Sequence, residues 1–157
     1  MPRPLSASDS LTLEQIERYE VAAFIRAVRT VVTDPVDQQQ FIDFMNSRVR
    51  GKATHTLSAY LNDGEHSPFL IARHYSITPA ITSLIPMDKA HTFEVRWTET
   101  YHDTTGAPAR DMPPTHWIAW VETQVHPRAN NPVLVNPLGF VVTDIRWTPD
   151  GQAEAQR

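Results

Sequence analysis

TFEVRWTETY, residues 92–101, sets Phe93, Val95 and Trp97 on one side of the chain by strict alternation. A period of two is that of a strand with one face on a core. The same period holds upstream in SITPAITSLIP, residues 76–86, where Ile77, Ile81 and Ile85 are expected to share a side. Downstream, HWIAWVETQV (116–125) is apolar on both sides at its start, Trp117 and Ala119 against Ile118 and Trp120. That pattern predicts a strand covered by helices on one face and by something else on the other. Phe140 to Trp147 is the fourth strand. Between them lie a long hairpin loop, Thr104 to Pro114, and an irregular stretch, Pro127 to Gly139, with two Asn-Pro pairs.

Before Tyr75 the period is helical. Leu11 to Val32 is predicted as a long helix, with Thr12 as N-cap, Gln15 as its capping-box partner and Leu11 stapled onto Ile16. Its second half, AAFIRAVRTVV, is apolar over much of its circumference, which predicts two buried faces. Asp34 and Pro35 start a second helix that is expected to run to Gly51, with Phe41, Ile42, Phe44, Met45 and Val49 as its core face. A third covers about Thr54 to Leu61 and stops at Asn62-Asp63-Gly64, and Ser67-Pro68 starts one or two further turns.

Helices first and antiparallel strands after predict an α+β domain with helices packed on one sheet face, and four strands need some answer to their exposed edges. At 157 residues one core is expected. The division is 1–10 as a linker or the remnant of a longer chain, 11–148 as one domain and 149–157 as a flexible tail. No run approaches the ~18 apolar residues of a membrane span, and the start lacks the apolar stretch of a signal peptide, so the chain as it stands is read as soluble.

A formal charge of −4 gives no electrostatic reason to hold a phosphate backbone, so nucleic acid is not an expected direct partner. The absence of cysteine removes disulfides, thiolate metal sites and thiol nucleophiles together, while leaving the compartment open. Seven histidines (His55, His66, His74, His91, His102, His116, His126) show no HxH or HxxxH spacing, so no metal is expected. Nor is there a Gly-rich phosphate loop or a Gly-x-Ser-x-Gly elbow, and no cofactor is implied.

The fourth strand is launched by Asn136-Pro137-Leu138-Gly139. Asn suits the first position of a type I turn, Pro presets the next φ and Gly suits the fourth position. Such a turn either only aims the strand or, having little entropy to lose, serves as a docking point.

DPVDQQQF after an apolar helix end, FEVRWTETYHDTTG, HWIAWV and NPLGFVVTDIRW, in that order, resemble the soluble part of TrbF-type conjugal transfer proteins. These belong to the VirB8-like inner-membrane components of type IV secretion systems. The resemblance runs from about Leu13 to Trp147 and implies a nuclear-transport-factor-two-like (cystatin-like) fold, with helices on a curved four-stranded antiparallel sheet. It also implies no catalytic activity, a bacterial periplasmic location and an upstream membrane helix absent from this chain. The role it implies is assembly, through a weak homodimer and contacts with other secretion subunits. In that family the NPxG turn is associated with self-association, which carries over to Asn136, Pro137, Leu138 and Gly139. Phe24, Ile25, Val28 and Val32 are a second candidate interface, on the apolar half of the first helix.

The competing class is a small-molecule binder or acid/base enzyme of the same fold, with a pocket lined by Trp97, Trp117 and His116. Its candidate groups are Asp103, His116, Asp144 and Tyr101. Against these, Asp103 beside Thr-Thr-Gly reads as a turn former, and Asp144 with Arg146 as a surface ion pair. The four tryptophans read first as core. A deep cavity faced by a buried carboxylate would favour the enzyme class, and a filled sheet face would count against it.

Overall fold

The computed structural model describes residues 7–126, 136 and 138–151, with side chains from residue 12 onward. Four helices, α1 (Ala7–Arg29), α2 (Pro35–Asn46), α3 (Lys52–Leu61) and α4 (Pro68–Ile71), precede four strands, β1 (Tyr75–Pro86), β2 (Thr92–Asp103), β3 (Thr115–Val125) and β4 (Phe140–Pro149). The strands form one antiparallel sheet in the order β1-β2-β3-β4. Helices cover one face, as the pattern predicts.

α1 begins before Thr12, so Thr12 is an interior residue and not the expected cap. Once a helix is nucleated, each added residue gains a hydrogen bond for little further ordering, so a weak cap signal does not halt it. At the other end α1 stops at Arg29, short of Val32, because the chain turns outward to pair with the sheet. Val31 N–H donates to Ile77 O (3.1 Å) and Ile77 N–H to Val31 O (2.9 Å). That bridge closes part of the β1 edge, and Pro79, two residues on in the same register, brings no N–H to it.

α2 starts as its sequence dictates. The Asp34 carboxylate accepts from Val36 N–H (2.8 Å), and Pro35 occupies the first helical position. Buried Gln38 locks the corner with α1, accepting from Val32 N–H (2.9 Å) and donating to Thr30 O (3.2 Å). The helix ends at Asn46 and not at Gly51, because residues 48–50 spend their backbone groups on the sheet. Val142 N–H donates to Arg48 O (2.7 Å) and Arg50 N–H to Val142 O (3.0 Å), a short parallel bridge that covers the β4 edge.

The core lies between α1 to α3 and the sheet: Phe24, Ile25, Met45 and Leu57 against Phe93, Val95, Trp97, Phe140 and Ile145. Phe24, Ile25 and Val28 are almost wholly buried within the chain, so the face they share is not open to a partner; of the four residues of that candidate interface only Val32 is part-exposed. The physical reason is the one the composition gives: a helix apolar on two faces is covered by the sheet on one and by α2 on the other.

Two bulges reset the alternation. One lies between Ile81 and Ser83 and brings Leu84 to the core while Ile85 faces solvent, so Ile77, Ile81 and Ile85 do not share a side. The other, at Thr143, keeps Ile145 on the core side and sends Asp144 outward, away from the face of Phe140 and Val142. The expected second cover of β3 consists of long side chains. Ile118 lies in register between Arg96 and Thr148, and the Arg146 guanidinium sits 5.1 Å from the Trp120 ring centroid.

Candidate functional site

The last residue of α1 carries a cation into the interior. Arg29 Nε donates to Glu99 Oε2 (2.7 Å) and Nη2 to Glu99 Oε1 (2.8 Å), a two-pronged pair. Trp97 Nε1–H donates to the same Oε2 (2.8 Å), and Glu99 has no exposed surface. Burial opposes the charge on Arg29, yet the hydrogen bonds and charge of Glu99 outweigh it and hold the guanidinium above its ordinary pKa. Two buried ions repay their desolvation only when the geometry is good and further hydrogen bonds help, and here the pair is two-pronged with a third donor, Trp97, on the carboxylate.

Aromatic rings frame the pair. The Arg29 guanidinium carbon lies 4.5 Å from the Trp117 ring centroid, 5.7 Å from Tyr60 and 5.9 Å from Trp147. Trp97 stacks on Trp117 at 6.4 Å and 11°, and Tyr60 meets Trp147 edge-on at 5.4 Å. Burial raises the Tyr60 phenol above its usual value, with the Arg29 charge pulling the other way. Above this floor opens a cleft of about 680 Å³, lined among others by Tyr60, Leu70, Tyr75, Tyr101, Met112, Trp117 and Trp147, with Asp63 and Glu65 also on its lining.

The turn before β4 is built on Asn136. Gly139 N–H donates to Asn136 O (3.2 Å), the bond expected between first and fourth turn residues. The Asn136 amide then grips the next residue on both sides: Phe140 N–H donates to Oδ1 (3.0 Å) and Nδ2 donates to Phe140 O (2.7 Å). Gly139 has φ +61°, a left-handed conformation that costs any side-chain-bearing residue. Leu138 is part-exposed, and Pro137 lies outside the described residues. The aiming role is thereby visible: the amide satisfies the edge of β4 just where the Arg48–Arg50 bridge leaves off.

The enzyme candidates do not converge. His116 is exposed and bonded to Thr98 Oγ1 (3.1 Å), on the sheet face opposite Trp117, because successive strand residues point to opposite sides. Trp97 is buried beneath the cleft, so Trp97, Trp117 and His116 do not line one cavity. Asp103 is the expected turn former: its Oδ1 accepts from Thr105 Oγ1 (2.5 Å), Thr105 N–H (2.9 Å) and Ala107 N–H (3.2 Å), which lowers its pKa. Arg146 lies over the Trp120 ring, and among the described residues no ion pair joins it to Asp144. Tyr101 does reach the cleft, its hydroxyl 2.9 Å from Thr115 Oγ1. A buried carboxylate is present in Glu99, but Arg29 and Trp97 occupy both its oxygens. Among the described residues no group of three His, Cys, Asp or Glu could hold a metal ion.

The pattern reading passed over Arg29, Glu99 and Tyr60. A signal existed: Glu99 continues the parity of Phe93, Val95 and Trp97, placing an acid on the apolar stripe, and Arg29 ends the apolar half of α1.

Residues 3–150 match the family model described as VirB8 protein. The conjugal transfer protein TrbF of Rhizobium radiobacter is 26% identical over 136 residues, covering 85% of this chain and 60% of that protein. The chain therefore spans about three fifths of the length of that curated relative. Among solved structures, a TrwG component of a type IV secretion system protein from Bartonella birtlesii aligns with a TM-score of 0.69 at 25% identity, over 87% of this chain and 92% of that one. The VirB8 protein of Agrobacterium tumefaciens aligns with a TM-score of 0.71 over 96% and 97% of the two chains. Its identity is 16%, so that likeness concerns the fold, the nuclear-transport-factor-two-like α+β arrangement expected from the resemblance.

Proposed function

The chain belongs to the VirB8 family, and from that premise we propose that it is a non-enzymatic assembly component of a conjugative type IV secretion system. Its place is the bacterial periplasm, tethered to the inner membrane by a helix outside this segment; no helix among its described residues is long and apolar enough to cross a membrane. The family match over residues 3–150 carries the reading. The conjugal transfer relative and the preoccupied Glu99 support it.

Work of this kind proceeds by contacts, with itself and with other secretion subunits. The self-association surface is the turn of Asn136, Pro137, Leu138 and Gly139: Asn136 is already bonded to Gly139 and Phe140, so little order is lost there on docking, and Leu138 offers a part-exposed apolar side chain. Tethering in a membrane raises effective concentration, so a weak intrinsic affinity suffices. Leu138→Arg should lower the dimer fraction in sedimentation equilibrium and leave the circular dichroism unchanged. Undiminished association in that variant removes the turn from the interface.

A further inference from the structure

The cleft above Arg29 has an aromatic floor and a charge balance that together select a ligand class. Among the described residues Arg29 is the one Lys or Arg side chain on its lining, and Glu99 already accepts from its Nε and Nη2; His66 and His74 line the opening as well. Asp63 and Glu65, at the head of the α3–α4 loop, line the same opening. The Asp63 carboxylate accepts from the Glu65 N–H (2.7 Å) and His66 N–H (2.8 Å), with His66 Nδ1 at 3.3 Å, and these bonds keep it ionised. Across the cleft the Tyr75 hydroxyl is tied to another carboxylate, Asp111, at 3.1 Å.

Trp117, Trp147, Tyr60 and Tyr101 therefore present rings to a space with two carboxylates, Asp63 and Glu65, on its rim, one of them beside His66. Ring faces attract cations, and the long stem of Arg or Lys covers apolar surface while its head stays at a polar rim. A volume of about 680 Å³ is within the range of sites that hold small ligands or a few side chains.

We propose that this aromatic, acid-rimmed cleft is a docking site for a partner protein's extended segment that presents an Arg or Lys side chain between apolar residues. The proposal extends the reading of the chain as a contact protein, and it concerns a surface that does not include the Asn136–Gly139 turn. The dimerisation test and the one below therefore fail separately.

The test uses the full chain and two probe peptides, acetyl-Leu-Arg-Leu-Arg-Leu-amide and the same peptide with Glu in place of Arg, followed by the four indole N–H resonances in NMR. The basic peptide should give saturable shifts at Trp117 and Trp147 while leaving Trp120, on the opposite sheet face, unmoved. Asp63→Asn combined with Glu65→Gln, two exposed positions whose exchange should not disturb the fold, should weaken binding by about fivefold or more, and added salt should weaken it further. Equal binding of the acidic peptide, an unchanged affinity in the double variant, shifts led by Trp120, or no saturation up to about 1 mM would each overturn the proposal.

Discussion

The cleft floor and the Asn136 turn are both rigid, but the first is held by charge inside the core and the second by hydrogen bonds within five residues of chain. In the floor, Arg29, Glu99 and Trp97 come from two elements distant in sequence, and all three are buried. In the turn, Asn136, Gly139 and Phe140 satisfy one another locally at a part-exposed position. Damage to the floor should therefore be read in the stability of the whole fold, and damage to the turn in the shape of one surface. A contact protein gains from that separation, because its docking point can vary without unfolding the domain that carries it.

The sharpest way to break the comparison is Glu99→Ala. It leaves the Arg29 charge buried and unpaired, and should cost about 3–5 kcal/mol, seen as a lower urea midpoint at unchanged slope. Replacing both partners, Arg29→Met with Glu99→Leu, should recover most of that loss, since an apolar pair has no desolvation to offset. A single variant as stable as the parent would mean that the pair is hydrated and that the floor is no firmer than the surface.

Next in size is Gly139→Ala, which forces a Cβ into the left-handed region and should cost about 1–2 kcal/mol by the same urea measurement. A loss as large as that of Glu99→Ala would show the turn to be part of the cooperative core and erase the distinction. The smallest effect is expected at Asp150, which meets Arg96 at 3.0 Å on the outer sheet face. Asp150→Asn should change stability by less than about 1 kcal/mol, and by less still in high salt, because exposed pairs are screened.

How far the site could be read in advance follows the same division. The capped start of α2, the stop of α3 at Asn62, the hairpin loop at 104–114 and the turn bond from Gly139 to Asn136 are all set by neighbours in sequence, and pattern reading finds them. The bulges at Thr82 and Thr143 escape it, because an extra residue in one strand is defined only by the strand beside it. The same holds for the early end of α2, whose residues 48–50 leave the helix to pair with Val142.

Alternation in residues 92–101, the apolar arc of α1 and the cap-plus-proline starts determined by themselves an α+β domain with helices on one sheet face, since these signals depend on covalent spacing and local torsion alone. Which charges meet was left to the tertiary structure: Arg29 and Glu99 stand 70 positions apart, and only the packed sheet brings them to 2.7 Å. Coulomb attraction and aromatic contact act through space, so the cleft they floor exists only once distant segments have been folded together.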